Sequence, residues 1–310
     1  MATMSIIVPC YNEEESIHFF YDAMLELEKK LIEIKEETQM EYVFIDDGSK
    51  DRTYQKLTEL HTKDNRVKCI SFSRNFGKEA AIFSGLRAAT GDCVVVMDAD
   101  LQHPPMTVAE MYEKWNEGYE VVEGIKINRG KESIFHKLFA NTFYGLFSKL
   151  IGVDMNNTSD FKLLDRKVVD VLAGLKERDT FFRALSYWVG FKSTSVHYEV
   201  QERVAGTTKW SFFALIKYAC QNMISFSYAP LRLIMVLGII AIIIGVVFGI
   251  DAVVSFLHGR AQSGYPTLIV MLIVSTGGIM LSLGIVGIYI AKIYEQIKDR
   301  PQYIIGDKKE

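Results

Sequence analysis

The chain has 310 residues, 49% of them hydrophobic and 24% charged, with a formal net charge of −3. That charged fraction excludes a disordered chain, a fibre and a protein made only of membrane helices, and a pI near 6.1 gives no support for a nucleic-acid binder. A mean hydropathy of +0.11 is nevertheless high for a soluble enzyme, so a chain long enough for about two domains joins two unlike parts.

Residues 4–8 (MSIIV) read as a strand that ends at Pro9, and Glu13 to Glu37 carries apolar residues at helical spacing. The start of the chain, Met1 to Cys10, has no basic stretch and no small-residue cleavage site, which predicts that this part stays in the cytoplasm. Tyr42–Ile45 is a second strand, ending in Asp46-Asp47-Gly48-Ser49, and Ser49 or Asp51 can cap a helix over 52–63. Val67–Phe72 is a third strand and Lys78–Thr90 a helix. Cys93–Met97 is a fourth strand, ending in Asp98-Ala99-Asp100. Strands alternating with helices predict an α/β domain with a mostly parallel sheet. Ligands of such sheets bind beyond the carboxyl ends of the strands, which is where these polar and acidic clusters fall.

Asp98 and Asp100 point the same way if the strand conformation continues. Two like charges side by side are costly unless a cation neutralises them. Hard oxygen ligands suit Mg²⁺ or Mn²⁺, with Gln102 as a third oxygen donor. His103, before Pro104-Pro105, is equally placed to be a ligand or to shape the turn. Cys10, Cys69, Cys93 and Cys220 form no C-x-x-C pair and no metal cluster, and read as reduced thiols.

Composition changes near Pro230. Leu231–Leu257 carries only Arg232 and Asp251 as charges, and Pro266–Ala291 carries none. Each run exceeds the ~20 residues that cross a bilayer core. The short loop between them holds Arg260, and the tail holds Lys292, Lys298, Arg300, Lys308 and Lys309. The positive-inside rule then predicts a hairpin in the plasma membrane with both termini cytoplasmic. Gly245 with Gly249, and Gly278 with Ser282, have the small-x-x-x-small spacing that permits close packing, within the hairpin or in a homo-oligomer. Residues 133–152 and 210–228 are rich in Phe, Tyr and Leu with interspersed Lys, a pattern that suits helices lying in the membrane interface. The expected organisation is a cytosolic domain over 1–209, an amphipathic helix over 210–229, a hairpin over 230–291 and a cytosolic tail over 292–310.

The motifs P-C-Y-N-E, I-D-D-G-S-K-D-R-T, S-R-N-F-G-K-E and M-D-A-D-L-Q-H-P-P resemble glycosyltransferase family 2, as do E-G at 123–124, T-S-D-F-K-L-L-D-R at 158–166 and Q-E-R-V-A-G-T-T-K-W at 201–210. The match is nearest to the polyprenyl-phosphate glycosyltransferases and covers essentially the whole chain. The resemblance implies a GT-A, Rossmann-like domain that binds a nucleotide-sugar, with UDP favoured over GDP. It implies that Pro9, Tyr11 and Glu13 line the nucleoside, with Ile45 and Asp47 at the base or ribose and Asp46 supporting that strand end. Asp98, the backbone of Ala99, Asp100 and Gln102 would form the metal and diphosphate site. Arg203 and Lys209 match positions that handle phosphate charge, beside the membrane where a lipid phosphate arrives. Lys126 stands where relatives often carry arginine. Lysine lacks the bidentate fork, and Arg129 is the neighbouring guanidinium that would substitute. Asp160 is the candidate catalytic carboxylate, as general base, as positioner of the acceptor, or as a charge stabilising the sugar.

The expected reaction is an inverting hexosyl transfer from a nucleotide diphospho-sugar to a polyprenyl phosphate such as undecaprenyl phosphate. A processive polysaccharide synthase of the same fold would carry a Q-x-x-R-W signature, which is absent. An inactive membrane scaffold would not need Asp98, Asp100, Gln102 and Asp160.

Overall fold

The computed structural model describes residues 2–127, 159–178, 180–200, 229–259 and 264–310. Met1–Ser211 together with Pro301–Glu310 makes one compact unit, and Phe212–Arg300 makes a second. The expected interfacial segments 133–152 and 210–228 lie outside the described residues.

The first unit opens with β1 (Ala2–Cys10), α1 (Ile17–Ile34), β2 (Thr38–Asp46), α2 (Thr53–Lys63), β3 (Val67–Phe72), α3 (Lys78–Ala88) and β4 (Cys93–Val96). It continues with α4 (Met106–Asn116), β5 (Val121–Lys126), β6 (Lys162–Asp165), α5 (Arg166–Gly174), α6 (Phe182–Trp188) and β7 (Ser193–Tyr198). One eight-stranded sheet runs in the order β7-β5-β6-β4-β1-β2-β3-β8, where β8 is Ile305–Lys309. β1, β2, β3 and β4 pair in parallel, as do β5 and β7; β6 and β8 run antiparallel to their neighbours.

The central strands are apolar along their length because helices cover both faces of the sheet. Met4, Ile6 and Val8 face one side and Ile7 the other, all without accessible surface. α1 buries Ile17, Phe20, Met24, Leu27 and Leu31, a single stripe at helical spacing. Full burial of a side chain such as Phe20 contributes about 1.5–3 kcal/mol. Arg52 occupies the cap position of α2 without a side-chain bond; its neighbour Asp51 accepts the Thr53 N–H at 3.0 Å, so of the two expected capping residues Asp51 holds the first turn. Cys10, Cys69 and Cys93 are buried free thiols.

The second unit holds α7 (Ala229–Leu257) and α8 (Tyr265–Ile297). Both are long and apolar enough to cross a membrane, over Ile234–Asp251 and Val274–Ile297, and neither stretch is covered by protein. Ile242 is 68% exposed and Val274 69%. Apolar surface of that extent calls for a non-aqueous neighbour. A Cβ built on Gly245, Gly249 or Gly278 would meet no atom within 4 Å, and the Ser282 hydroxyl donates back to Gly278 O within its own helix. The chain then returns to the first unit, where β8 pairs with β3 and Tyr303 stacks on Phe72 at 4.8 Å.

Candidate active site

The register of the sheet brings Asp98 and Asp160 to one end. β4 stops at Val96, whose partner across the antiparallel ladder is Lys162. Asp98 lies two residues past β4 and Asp160 two residues before β6, so both emerge at the carboxyl end of β4. Lys78, the first residue of α3, spans the two carboxylates. Its Nζ lies 2.6 Å from Asp98 Oδ1 and 2.9 Å from Asp160 Oδ2. Arg183 on α6 adds Nε and Nη2 to Asp160 at 2.7 and 3.0 Å.

The strand ends position Lys78. Asp47, just past β2, donates its N–H to Cys10 O, and its carboxylate accepts the N–H groups of Phe76 and Gly77 at 2.6 and 2.9 Å. Those amides precede Lys78 directly, so Asp47 sets where α3 begins. Gly48 makes the turn with φ +65°, and a Cβ there would lie 2.4 Å from the Arg74 carbonyl carbon. Asp46 accepts from Ser49 N and Ser71 Oγ, which braces the same strand end. The first loop is tied to this one. Asn12 N donates to Ser49 Oγ, Asn12 Oδ1 accepts from Lys50 N, and Glu13 N donates to Thr53 Oγ1. Tyr11 is left 42% exposed at this edge, while Pro9 is partly buried. Ile45 has no accessible surface and lies in the core beneath this edge; a base or ribose would find no surface on it in this conformation.

Asp98 and Asp100 lie beyond the end of the strand and do not share a strand face. β4 ends at Val96, Ala99 and Asp100 form a turn, and Leu101 takes φ +58°. The Gln102 N–H folds back onto Asp100 Oδ1 at 3.2 Å. His103 is buried, stacks on Phe161 at 4.7 Å, and turns Nδ1 toward the Asp98 amide at 3.4 Å. It braces the turn.

Among the described residues no three or more His, Cys, Asp or Glu side chains gather as a metal cluster. Asp98, Asp100 and Gln102 nevertheless offer hard oxygens on one turn, and 32% of the Asp98 side chain is accessible. That donor set fits Mg²⁺ or Mn²⁺ whose remaining positions are filled by substrate oxygens.

Charge in the site is strongly coupled. Burial pushes the Asp160 carboxyl up, but Lys78 and Arg183 outweigh it and hold Asp160 well below the usual carboxylate range. Asp98 is lowered too: burial raises it, and Lys78 and His103 more than offset that. Desolvation lowers Lys78, yet Asp160 and Asp98 hold it above its ordinary value. Lys126, at the end of β5, is lowered by burial and by Arg183. Glu79 is pushed up to about 7, first by burial and then by Asp160.

Behind Asp160 sits a second buried group. Glu123 on β5 faces Lys162 on β6 across the ladder, at 3.0 Å, and Lys162 has no accessible side-chain surface. Glu123 also accepts from Ser159 N at 3.0 Å and from the Tyr187 hydroxyl at 2.5 Å. Gly124 is required beside it, because a Cβ would lie 2.5 Å from Phe161 Cδ1.

The structure thus joins Asp98 to Asp160 and sets Asp46 and Asp47 as braces of the neighbouring strand end. Arg129, Arg203 and Lys209 lie outside the described residues. Sequence reasoning assigned no role to Lys78, Arg183 or Tyr187, and Glu123 stood out only within the E-G match at 123–124. Lys78 stands inside S-R-N-F-G-K-E, and a cation within a motif rich in fixed turns was the available signal.

An α/β sheet with an acidic and basic cluster beyond the carboxyl end of its central strand has the arrangement of a ligand-binding enzyme of the α/β class. Residues 5–172 match the family model described as "Glycosyl transferase family 2". The chain belongs to that family and is a glycosyltransferase. It is similar to "Uncharacterized glycosyltransferase YkcC" of Bacillus subtilis (strain 168), 43% identical over 97% of this chain and 92% of the relative. It is also similar to "Prophage bactoprenol glucosyl transferase homolog" of Escherichia coli (strain K12), 36% identical over 97% of this chain and 98% of the relative. "Bactoprenol glucosyl transferase" of Shigella phage SfX is 36% identical over 99% of both chains.

Proposed function

We propose that this glycosyltransferase moves a hexosyl group, with inversion, from a nucleotide diphospho-sugar to a membrane polyprenyl phosphate. UDP-glucose and UDP-N-acetylglucosamine are the favoured donors. The observation that carries the reading is the Asp98–Lys78–Asp160–Arg183 chain, which couples the turn suited to a diphosphate to the carboxylate of T-S-D-F-K. Near full-length similarity to relatives named for bactoprenol supports the lipid acceptor.

In the reaction, the bond from the sugar carbon to the nucleoside diphosphate breaks as a bond to an acceptor phosphate oxygen forms. A divalent cation held by Asp98, Asp100 and Gln102 would supply positive charge for the leaving diphosphate. Lys78 and Lys126 hold further positive charge at the same edge. Asp160, held ionised by two cations, is a poor proton acceptor. A phosphate monoester has its second pKa near 6 and is largely dianionic at neutral pH, so no base is needed. Asp160 instead holds Lys78 and Arg183 in fixed positions, where their charges meet those of donor and acceptor. Arg203 and Lys209 are proposed as the acceptor's phosphate contacts, and Arg129 with Lys126 as the donor's.

The two apolar helices support attachment at a membrane surface, where the lipid is met. Because β8 follows both helices and rejoins the sheet, two crossings leave both ends of the chain on one side. We assign that side to the cytoplasm. The test is a panel of radiolabelled UDP- and GDP-sugars incubated with membranes and a polyprenyl phosphate. Label in lipid, lost with EDTA, is expected; label only in free sugar or in polymer would overturn the reading.

A further inference from the structure

Helix α6 has seven residues, too few to be stable alone, yet three carboxylates from three other segments hold it. Glu79 at the start of α3 accepts the Phe182 N–H at 2.8 Å. Asp160 takes Arg183, the next residue. Glu123 takes the hydroxyl of Tyr187, one turn further along the same face. Phe182 packs edge-on against Phe83. The position of the Arg183 guanidinium is therefore set by where α6 docks.

Glu123 reaches the reaction centre from both sides without touching it. One oxygen accepts the amide of Ser159, the residue before Asp160, and lies 3.0 Å from the ammonium of Lys162, two residues after it. The other oxygen holds Tyr187. The Lys162 ammonium in turn lies 4.5 Å from the centre of the Tyr187 ring. An apolar pair would join β5 to β6 with less desolvation. It would not supply a carboxylate that takes the Ser159 amide and the Tyr187 hydroxyl together.

We propose that Glu123 is a positioning residue for glycosyl transfer: it fixes the backbone that carries Asp160 and, through Tyr187, the helix that carries Arg183. The inference rests on the role given above to Asp160. It requires that loosening Tyr187 costs turnover before it costs stability.

The test uses the full chain in nanodiscs with a short polyprenyl phosphate and its nucleotide-sugar. Tyr187→Phe keeps the ring over Lys162 and removes only the hydroxyl. It is expected to lower kcat by about tenfold or more, with donor KM within about twofold and Tm within about 2 °C. Glu123→Gln lowers both kcat and Tm; adding Lys162→Met removes the unpaired charge, and is expected to restore Tm while kcat stays low. Wild-type kcat in Tyr187→Phe, or a kcat that recovers with Tm in the double variant, overturns the proposal. Absence of transfer by the wild-type chain would sink the functional reading instead. In that case hydrogen exchange decides. Faster exchange across 182–188 in Tyr187→Phe is expected, and unchanged exchange there overturns the positioning role.

Discussion

The ammonium of Lys78 lies 2.9 Å from the carboxylate of Asp160, although one residue begins helix α3 and the other lies just before strand β6. The same ammonium holds Asp98, so one side chain fixes the distance between the two acids on which the site is built. Lys78→Met should leave Asp160 with Arg183 as its remaining cation and remove the ammonium from Asp98, and turnover should fall by ~10²-fold or more. Lys78→Arg restores charge with a different shape and should recover part of it. Steady-state kinetics on purified protein checks both.

Asp160 stays ionised throughout the neutral and mildly acid range, because Lys78 and Arg183 outweigh the effect of burial. A group with a depressed folded pKa contributes stability above its unfolded value and loses it only as pH falls through the folded one. The pH–rate profile between about 5 and 9 should therefore show no limb belonging to Asp160. Asp160→Asn should lower kcat by ~10²-fold or more, and raising the pH should not rescue it. Rescue at high pH would restore the general-base role.

Glu79 supplies the opposite sign. Its folded pKa is pushed up to about 7 from an ordinary 4.5. Between those values the folded protein holds a proton that the unfolded chain has released, so this group's contribution falls as pH rises through that window. Glu79→Gln keeps an acceptor for the Phe182 amide and removes the titration. The Tm difference between variant and wild type should move in the variant's favour by a few degrees from about pH 5 to pH 8. A difference that is flat with pH would refute the assignment.

Gly48 tests the turn that sets Lys78. Any Cβ there meets the Arg74 backbone at 2.4 Å and demands φ +65° of an L-residue. Gly48→Ala should destabilise the protein by about 2 kcal/mol or more, read from urea denaturation. Because Asp47 is displaced with the turn, kcat should fall further than stability alone accounts for.

Much of this was legible in the sequence. The third strand, 67–72, was given by its apolar run, and the acids past β2 and β4 by their place after buried strands. β1 runs over Ala2–Cys10, beyond the expected 4–8, because its ladder with β2 continues through flanking residues that carry no pattern of their own. β8 was invisible: Ile-Gly-Asp-Lys-Lys is polar, as befits a sheet edge, and signals a tail. The condition that strand conformation continue to Asp98 and Asp100 is not met, because β4 ends at Val96 and the chain turns at Ala99–Asp100 with no glycine to mark it. Lys78 and Arg183 escaped notice because their partners are fixed by register and helix docking, and local spacing does not encode either.

The eighth strand also imposes an order of assembly. β8 is made only after both apolar helices, yet it closes the sheet against β3 and brings Tyr303 onto Phe72. The first unit therefore cannot complete its sheet until both apolar helices have been synthesised. A chain that stops short of Ile305 leaves β3 as an open edge and lacks the eighth strand of its sheet.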